Sequence, residues 1–339
     1  MAERSAAPVV ALIGATGAAG STVLRILEER HFAIREFRPM ASARSDGAMV
    51  RFRGEDVRVT TVDAEKLQGC DIVFFAAGAA VSREFGPVVA AAGGVAVDKS
   101  SYYRMNPEVP LVVPEVNGEA VQGNRGIIAN PNCVAIPLTV SLAPLHRAFG
   151  LRHLTVSTYQ AASGGGRDLL AELRLQEGDD ASGRPPHREL YPHVLHGNVV
   201  PGGWKMVGDD TDEEVKVIQE TRRVLGLSGL PMTVTTVRVP VAVGHSAAVW
   251  AEFEKDADPA EARRILQGAP GVQVVDDPGA QAYPTPREVA GTDVVQVGRI
   301  RRDPSREHGL VLFFAADNLR KGAATNAVQV AELVLEYRA

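Results

Sequence analysis

Val9-Val10-Ala11-Leu12-Ile13-Gly14-Ala15-Thr16-Gly17-Ala18-Ala19-Gly20 is a continuous apolar run, then a glycine turn, and a helical pattern follows from Ser21 to about residue 30. A strand apolar on both faces belongs to a parallel sheet covered by helices on both sides. Gly14, Gly17 and Gly20 permit a tight turn, close approach of backbone to a pyrophosphate, and close helix–sheet packing, with the phosphates on the helix N-terminus. The spacing Gly-x-x-Gly-x-x-Gly is one residue wider than the commoner fingerprint. Its place after a buried strand, at the head of a β–α–β run, favours a nucleotide site over an ordinary glycine-rich turn.

Outward from this stretch, strands are expected over 37–41, 71–76, 94–98, 111–113 and 126–129, separated by helical or turn segments. Alternating β and α units imply a Rossmann-like doubly wound parallel sheet. After Cys133 the texture changes. Residues 155–160 alternate as a strand, Ser163-Gly164-Gly165-Gly166 opens a helix over 167–175, and 176–208, rich in Pro, Gly, His and Asp, reads as mostly irregular. A helix over 212–225 precedes strands at 232–243, 247–254 and 294–300, of the alternating, antiparallel kind. A strand over 310–316 and an amphipathic helix over 323–336 close the chain. The expected division is a dinucleotide-binding domain of 1–132 with 317–339, and an α+β domain of 133–316 with a mostly antiparallel sheet.

The 339 residues, 45% hydrophobic, suit two domains with ample cores. The net charge of −5 is spread along the chain without a basic stripe, so nucleic acid is not an expected partner and small-molecule chemistry is favoured. Residues 1–8 are a short polar lead lacking a signal peptide's apolar stretch, and no apolar run is long enough to span a bilayer. Two cysteines make no disulfide framework, and a reducing cytoplasm is the expected home.

About 20 residues past the glycines, where an NAD-binder places an acid on the ribose, the chain has Met40-Ala41-Ser42-Ala43-Arg44-Ser45. Arg44 with two flanking hydroxyls suits a 2′-phosphate instead, so NADP is favoured over NAD. Short-chain reductases share a Gly-Ala-Thr-Gly turn but need Tyr-x-x-x-Lys, and no tyrosine here has a lysine four residues on.

Cys133, in Asn130-Pro131-Asn132-Cys133, precedes a run that reads as a helix opening with Pro137 in its first turn. Unpaired N–H groups and the helix dipole there favour thiolate over thiol. The plain alternative is a small core residue, as for Cys70. A thiolate nucleophile working on an aldehyde needs an acid/base, and His245 beside Gly244 at a strand end is the best placed of eight histidines. Arg238, on an apolar strand, is either paired structurally or waiting for a carboxylate. Glu213 and Lys216 share a helix face as a surface ion pair or as substrate contacts. Arg104 follows a strand end at the sheet's ligand-binding edge and could take an anion.

Together these residues resemble the aspartate-semialdehyde dehydrogenase family, nearly end to end. The stretches that carry the resemblance are Gly14-Ala15-Thr16-Gly17, Ala41-Ser42-Ala43-Arg44-Ser45, Val112-Val113-Pro114-Glu115-Val116-Asn117, Ile128-Ala129-Asn130-Pro131-Asn132-Cys133, Ser157-Thr158-Tyr159-Gln160, Arg238-Val239-Pro240-Val241, Gly244-His245-Ser246, Val297-Gly298-Arg299-Ile300 and Ala316-Asp317-Asn318-Leu319-Arg320-Lys321-Gly322-Ala323. The resemblance implies reversible, NADP-linked interconversion of L-4-aspartyl phosphate and L-aspartate 4-semialdehyde, at the branch toward lysine, methionine and threonine. By it, Cys133 is the nucleophile, His245 the acid/base, and Gln160 the residue orienting substrate near the sulfur. Arg238 would hold the α-carboxylate, Glu213 the α-amino group, and Arg104, Asn132 and Lys216 the phosphate. Gly14, Thr16, Gly17, Ala18, Ala19, Arg44, Ser45, Ser163, Gly164 and Asn318 would contact NADP. The family also implies a homodimer or a homotetramer, with the second domain supplying the interface.

Where the family has Ser-Thr after the cysteine, this chain has Val134-Ala135, and 176–212 matches weakly apart from Tyr191-Pro192-His193 and Asn198-Val199-Val200-Pro201. Two rivals remain. N-acetyl-γ-glutamyl-phosphate reductase has its cysteine in a different motif and an acetylated substrate with no free amine for Glu213. An inactive NADP-binding paralogue predicts decay at one or more of Cys133, Gln160, Arg238 and His245, all of which are present.

Overall fold

The computed structural model describes residues 7–338. The polar lead expected over 1–8 lies outside them except for Ala7 and Pro8. The chain divides into two compact units, one running up to Pro131 and resuming at Ala323, the other Asn132–Gly322.

The first unit is built on six parallel strands in the order Thr60–Thr61, Glu36–Ala41, Val9–Ile13, Ile72–Phe75, Val95–Asp98, Ile127–Ala129. Both faces are covered, which is why the central strands are apolar without alternation. Val10, Leu12, Ile72, Phe74, Val95 and Val97 face a core shared with the helices Ala18–Glu29 and Thr325–Arg338. Val9, Ala11, Ile13, Val73, Phe75 and Ala96 face the other, with Leu67 and with Val89 of the helix Ala79–Ala91. Val9–Ile13 pairs on one side with the next strand and on the other with Ile72–Phe75, so the winding reverses there, and the crevice at such carboxyl ends is where open sheets bind ligands. The last helix is fastened to this unit by Asn326, whose Nδ2 donates to Val112 O (3.0 Å) and Asn130 Oδ1 (2.8 Å), and by the Arg30–Glu332 pair at 2.6 Å.

One expected strand is missing. Residues 111–113 make a single bridge, Leu111 to Ala129. Pro110 has no N–H to extend the ladder, and Pro114 starts the helix Pro114–Asn117.

The second unit's sheet runs Met232–Arg238, Leu151–Gln160, His245–Phe253, Gly309–Ala316, Val295–Arg302, Val272–Val274. Its three inner pairings are antiparallel and its two outer ones parallel. The strand expected over 232–243 stops at Arg238 and runs parallel to Leu151–Gln160, because the helices Arg167–Ala181 and Asp212–Leu225 form a crossover between them. Past it, Pro240 offers no donor and Val241 N folds back onto Val239 O at 2.8 Å. The first of those helices takes the start of the segment expected to be irregular, and Met206–Val207 pairs with Asp210–Thr211 within its end.

Glu214 closes two structures at once. Its Oε2 accepts from Thr211 N (2.7 Å) while Thr211 Oγ1 accepts from Glu214 N, a capping box, and its Oε1 accepts from Thr236 N (2.8 Å) on the edge strand. Residues 317–322 fold with this unit: Asp317 Oδ2 accepts from Gly291 N at 2.8 Å, and Arg320 grips Asp293 through Nε at 3.0 Å and Nη2 at 2.9 Å.

In the glycine turn, a Cβ on Gly20 would lie 2.1 Å from Gly14 O and 2.9 Å from Ala15 Cα, both backbone. Gly20→Ala is expected to cost about 1–3 kcal/mol, read as a fall in Tm. Gly17→Ala, whose Cβ would stand 3.3 Å from Gly14 O, should cost less. Equal Tm values for Gly20→Ala and the parent would mean that the turn does not depend on that contact.

Candidate active site

In the first unit the residues Gly14, Thr16, Gly17, Ala18 and Ala19 lie at the switch point. Gly14 has φ +88°, and a Cβ there would strike Ala76 O at 2.6 Å. The helix Ala18–Glu29 starts at Gly17 with no side-chain cap and no acid in its first turn, which leaves its positive end for an anion. Thr16 Oγ1 donates to Ser45 Oγ at 3.2 Å, so the glycine turn and the exposed Ser42-Ala43-Arg44-Ser45 turn form one surface. A backbone cradle with no space for side chains, beside an exposed arginine and hydroxyls, fits a phosphorylated dinucleotide. Arg104 lies past the strand Val95–Asp98 and donates from Nη2 to Lys99 O at 2.7 Å. Cys70 is buried, and burial pushes its thiol pKa up although Arg38 Nη1 donates to its sulfur at 3.5 Å.

In the second unit, Gln160 and Arg238 are register partners at the carboxyl ends of their parallel strands, and His245 begins the antiparallel strand on the other side of Gln160's. Three of the candidate side chains therefore share one end of the sheet. Cys133, partly buried, precedes the helix Ala135–Phe149. Asn132 caps that helix: its Oδ1 accepts from Val134 N (2.8 Å) and Ala135 N (3.3 Å), and its Nδ2 donates to Glu213 Oε1 at 3.0 Å. Gln160 Nε2 donates to the same oxygen at 3.3 Å. Lys216 Nζ is 3.9 Å from Glu213 but 2.7 Å from Asp212. Asn318 Oδ1 accepts from Gly244 N (2.9 Å) and Ser163 Oγ (3.1 Å), tying both residues to the His245 turn. Gly164 is glycine by necessity, since a Cβ would stand 2.8 Å from His245 Nε2 and 3.0 Å from Arg238 Nη1. Gly322 is crowded likewise, 3.0 Å from Cys133 O.

Two buried donors here have no acceptor: Arg238 Nε and His245 Nε2. His245 Nδ1 accepts from Ala161 N at 3.0 Å, so the neutral ring carries its proton on Nε2. Burial, and then the Arg238 guanidinium, hold the His245 pKa well below the usual imidazole value. Arg238 donates from Nη1 to Ala161 O at 2.7 Å. Unsatisfied buried donors are costly and rare, so a pair of them points to an oxygen-rich ligand.

Arg238, Glu213, Lys216 and Gly164 line one cavity of about 490 Å³. Tyr191, Trp204 and Asp168 also line it, and sequence reasoning missed all three as site residues. The guanidinium of Arg238 lies over the Trp204 ring at 4.7 Å. One signal was available: a tryptophan, one of only two, inside a Gly/Pro-rich segment needs something to pack against.

A family model described as "Semialdehyde dehydrogenase, NAD binding domain" matches residues 9–124, and one described as "Semialdehyde dehydrogenase, dimerisation domain" matches 142–321. The fold and site thus belong to the semialdehyde dehydrogenases, oxidoreductases built on a dinucleotide-binding domain. The aspartate-semialdehyde dehydrogenase of Aquifex aeolicus is 44% identical over 332 residues, covering 96% of this chain and 98% of that one. That of Synechocystis sp. is 42% identical over 328 residues, covering 96% and 97%. The crystal structure of aspartate semialdehyde dehydrogenase II from Vibrio cholerae superposes with TM-score 0.94 at 39% identity, covering 97% of this chain and 99% of that one. The same enzyme complexed with ASA gives TM-score 0.95 at 38% identity, covering 98% and 99%. The chain belongs to the aspartate-semialdehyde dehydrogenase family.

Because the folded His245 pKa is depressed, an unfolded chain binds more protons in the window below about 6.5, and His245 contributes stability that is present above that pH and lost as pH falls through its folded pKa. Followed by NMR on the folded protein, the His245 ring is expected to stay neutral, with its proton on Nε2, throughout the range above pH ~6.5. Titration at or above that value would contradict the buried, arginine-flanked environment.

Proposed function

We propose that this chain performs the NADPH-dependent reductive dephosphorylation of L-4-aspartyl phosphate to L-aspartate 4-semialdehyde, through a thioester on Cys133, in the biosynthesis of lysine, methionine and threonine. The observation that carries this reading is the cavity with a cation and an anion in its walls, Arg238 and Glu213. That arrangement suits an α-amino acid zwitterion. An N-acetylated substrate would offer no ammonium to Glu213, which accepts from Asn132 and Gln160 and lies 3.9 Å from Lys216.

Arg238 takes the α-carboxylate through its buried, unpartnered Nε edge, and a planar fork suits that group better than a point charge. Glu213 takes the ammonium. Lys216 and the Asn132 amide are the phosphate ligands on this unit, and Arg104 is assigned the same role by family resemblance. Cys133 attacks the acyl carbon, the C–O bond to phosphate breaks, and a thioester remains; once that thioester carbon has received a hydride, the C–S bond breaks, releasing the semialdehyde and returning the Cys133 thiolate. His245 lends its Nε2–H to the carbonyl oxygen as negative charge develops there, at both tetrahedral stages. In this tautomer the ring performs the donor half of an acid/base role. Gln160, tethered to Glu213, orients the acyl group. NADP supplies the hydride when bound in its reduced form. Its phosphates fall to Gly14, Thr16, Gly17, Ala18 and Ala19, its 2′-phosphate to Arg44 and Ser45, and Ser163, Gly164 and Asn318 are further cofactor contacts.

The second unit, which carries the dimerisation model, supplies the interface of a homodimer or of a pair of dimers. The cytoplasm suits two cysteines that form no disulfide. No helix among the described residues is long and apolar enough to cross a membrane.

A phosphate-dependent NADP reduction assay run with aspartate semialdehyde and with N-acetylglutamate semialdehyde tests the substrate, and preference for the second would overturn it. In that assay Cys133→Ser is expected to abolish turnover while leaving NADPH affinity within about twofold, since serine is not ionised at neutral pH. Robust turnover by the variant would remove the thioester. Arg44→Ala should weaken NADPH about tenfold or more, the worth of a charge-assisted hydrogen bond, and barely change NADH. Equal losses for the two nucleotides would refute the 2′-phosphate assignment.

A further inference from the structure

We propose that Trp204 is a positioning residue for Arg238, held in place by a strap that Glu172 and Gln176 fasten, and that it sets the enzyme's selection for substrates bearing an α-carboxylate. This rests on the reading that Arg238 binds that carboxylate.

A guanidinium directs its five N–H groups in one plane. Two contacts are needed to fix it: one for the plane, one for rotation within it. The indole of Trp204, 4.7 Å from Arg238 Cζ, sets the plane, and the Nη1 bond to Ala161 O sets the rotation. Together they decide where the unpartnered Nε edge faces. Without the indole, the guanidinium keeps only the Ala161 bond and its interaction with Tyr191.

Trp204 lies in a segment, 182–205, with no helix or strand of its own. The segment is tied to Arg238 itself by a backbone bridge, Val200 N donating to Arg238 O (2.9 Å) and Arg238 N to Val200 O (2.8 Å), and its earlier part is ordered by the helix Arg167–Ala181, where Glu172 and Gln176, four apart and 2% and 0% exposed, turn inward. Gln176 Oε1 accepts from Leu195 N (2.8 Å) and His196 N (2.9 Å), and its Nε2 donates to His187 O (2.8 Å). Glu172 Oε2 accepts from Leu190 N (2.6 Å) and Glu189 N (3.2 Å). Two side chains thus satisfy backbone groups that regular structure would otherwise take. Tyr191 then folds the strap onto itself, its hydroxyl donating to Gly202 O at 2.5 Å, and Gly203 leaves the ring its space: a Cβ there would fall 2.2 Å from it. The next residue is Trp204. Plain packing would require neither a buried carboxylate nor a buried amide.

The test compares three aldehydes on the full-length enzyme: aspartate semialdehyde as substrate, with succinate semialdehyde, which lacks the amine, and 3-aminopropanal, which lacks the carboxylate, as competitive inhibitors. Trp204→Ala is expected to raise KM for aspartate semialdehyde and the inhibition constant of succinate semialdehyde about tenfold, the loss of a partly desolvated cation–π contact. The constant for 3-aminopropanal should stay within about twofold on the same grounds. Trp204→Phe should recover most of the loss, and Gln176→Leu, which frees the 187–196 part of the strap while the Val200–Arg238 bridge remains, should reproduce part of it. A loss spread equally over all three aldehydes, or no loss, overturns the proposal. Arg238→Lys separates the two ideas: if it too weakens all three alike, the carboxylate reading itself fails, and if it discriminates while Trp204→Ala does not, only Trp204's role falls.

Discussion

A guanidinium buried at the end of a sheet, with no carboxylate beside it among the described residues, is the constraint around which the second unit is arranged. Arg238 is 3% exposed. An isolated charge in such a place is costly, and removing an arginine's partner usually destabilises by several kcal/mol. The chain compensates with neutral groups: the Ala161 carbonyl and the Trp204 face. Neutral compensation leaves the charge uncancelled, and its field reaches the neighbours. It adds to burial, the larger cause, in keeping His245 neutral, and it favours the phenolate of Tyr191, although burial outweighs that and the Tyr191 pKa ends up raised. A carboxylate partner would have stabilised Arg238 at the expense of its availability to an anion.

Topology explains how residues far apart in sequence meet there. One crossover makes Met232–Arg238 parallel to Leu151–Gln160, which sets Arg238 beside Gln160, and one antiparallel return sets His245 at the same end. The crossover's second helix supplies Glu213 near its start, and two turns on supplies Glu220, whose Oε2 accepts from Asn132 N at 2.5 Å. The turn that carries Cys133 is thereby held by two carboxylates of one helix.

The first unit was legible because burial on both faces leaves a plain mark, an apolar run with no alternation, followed by a turn where a Cβ at Gly14 or Gly20 would strike backbone. Segment 111–113 looked the same locally, and failed as a strand because of prolines on either side of it. In the second unit, local pattern found the strands but not their direction, since nothing in 232–238 distinguishes a parallel neighbour from an antiparallel one. The strap over 182–205 was opaque for a further reason. Its order comes from Glu172 and Gln176 and from the Val200–Arg238 bridge, and the mid-helix positions of the first two give no hint that they are buried. Among the candidate site residues, chemistry by type singled out Cys133, Arg238 and His245, whereas Trp204, whose proposed role runs through Arg238, carries no reactive group to draw attention.

The contrast between Arg238 and Lys216 follows from how each is held. Arg238 is fixed by a backbone carbonyl and a ring, contacts that a substrate does not need to displace. Lys216 is 2.7 Å from Asp212 on its own helix, with both side chains about a third exposed. Such i,i+4 pairs are worth roughly 0.3–0.5 kcal/mol, so a phosphate dianion can draw the ammonium away at little cost and surrender it again as easily. Under the proposed assignment this is the needed asymmetry: the carboxylate must stay in register through attack and reduction, while phosphate must depart between them. A rigid, deeply buried fork serves the group that remains bound, and a loosely paired, partly solvated ammonium serves the one that leaves.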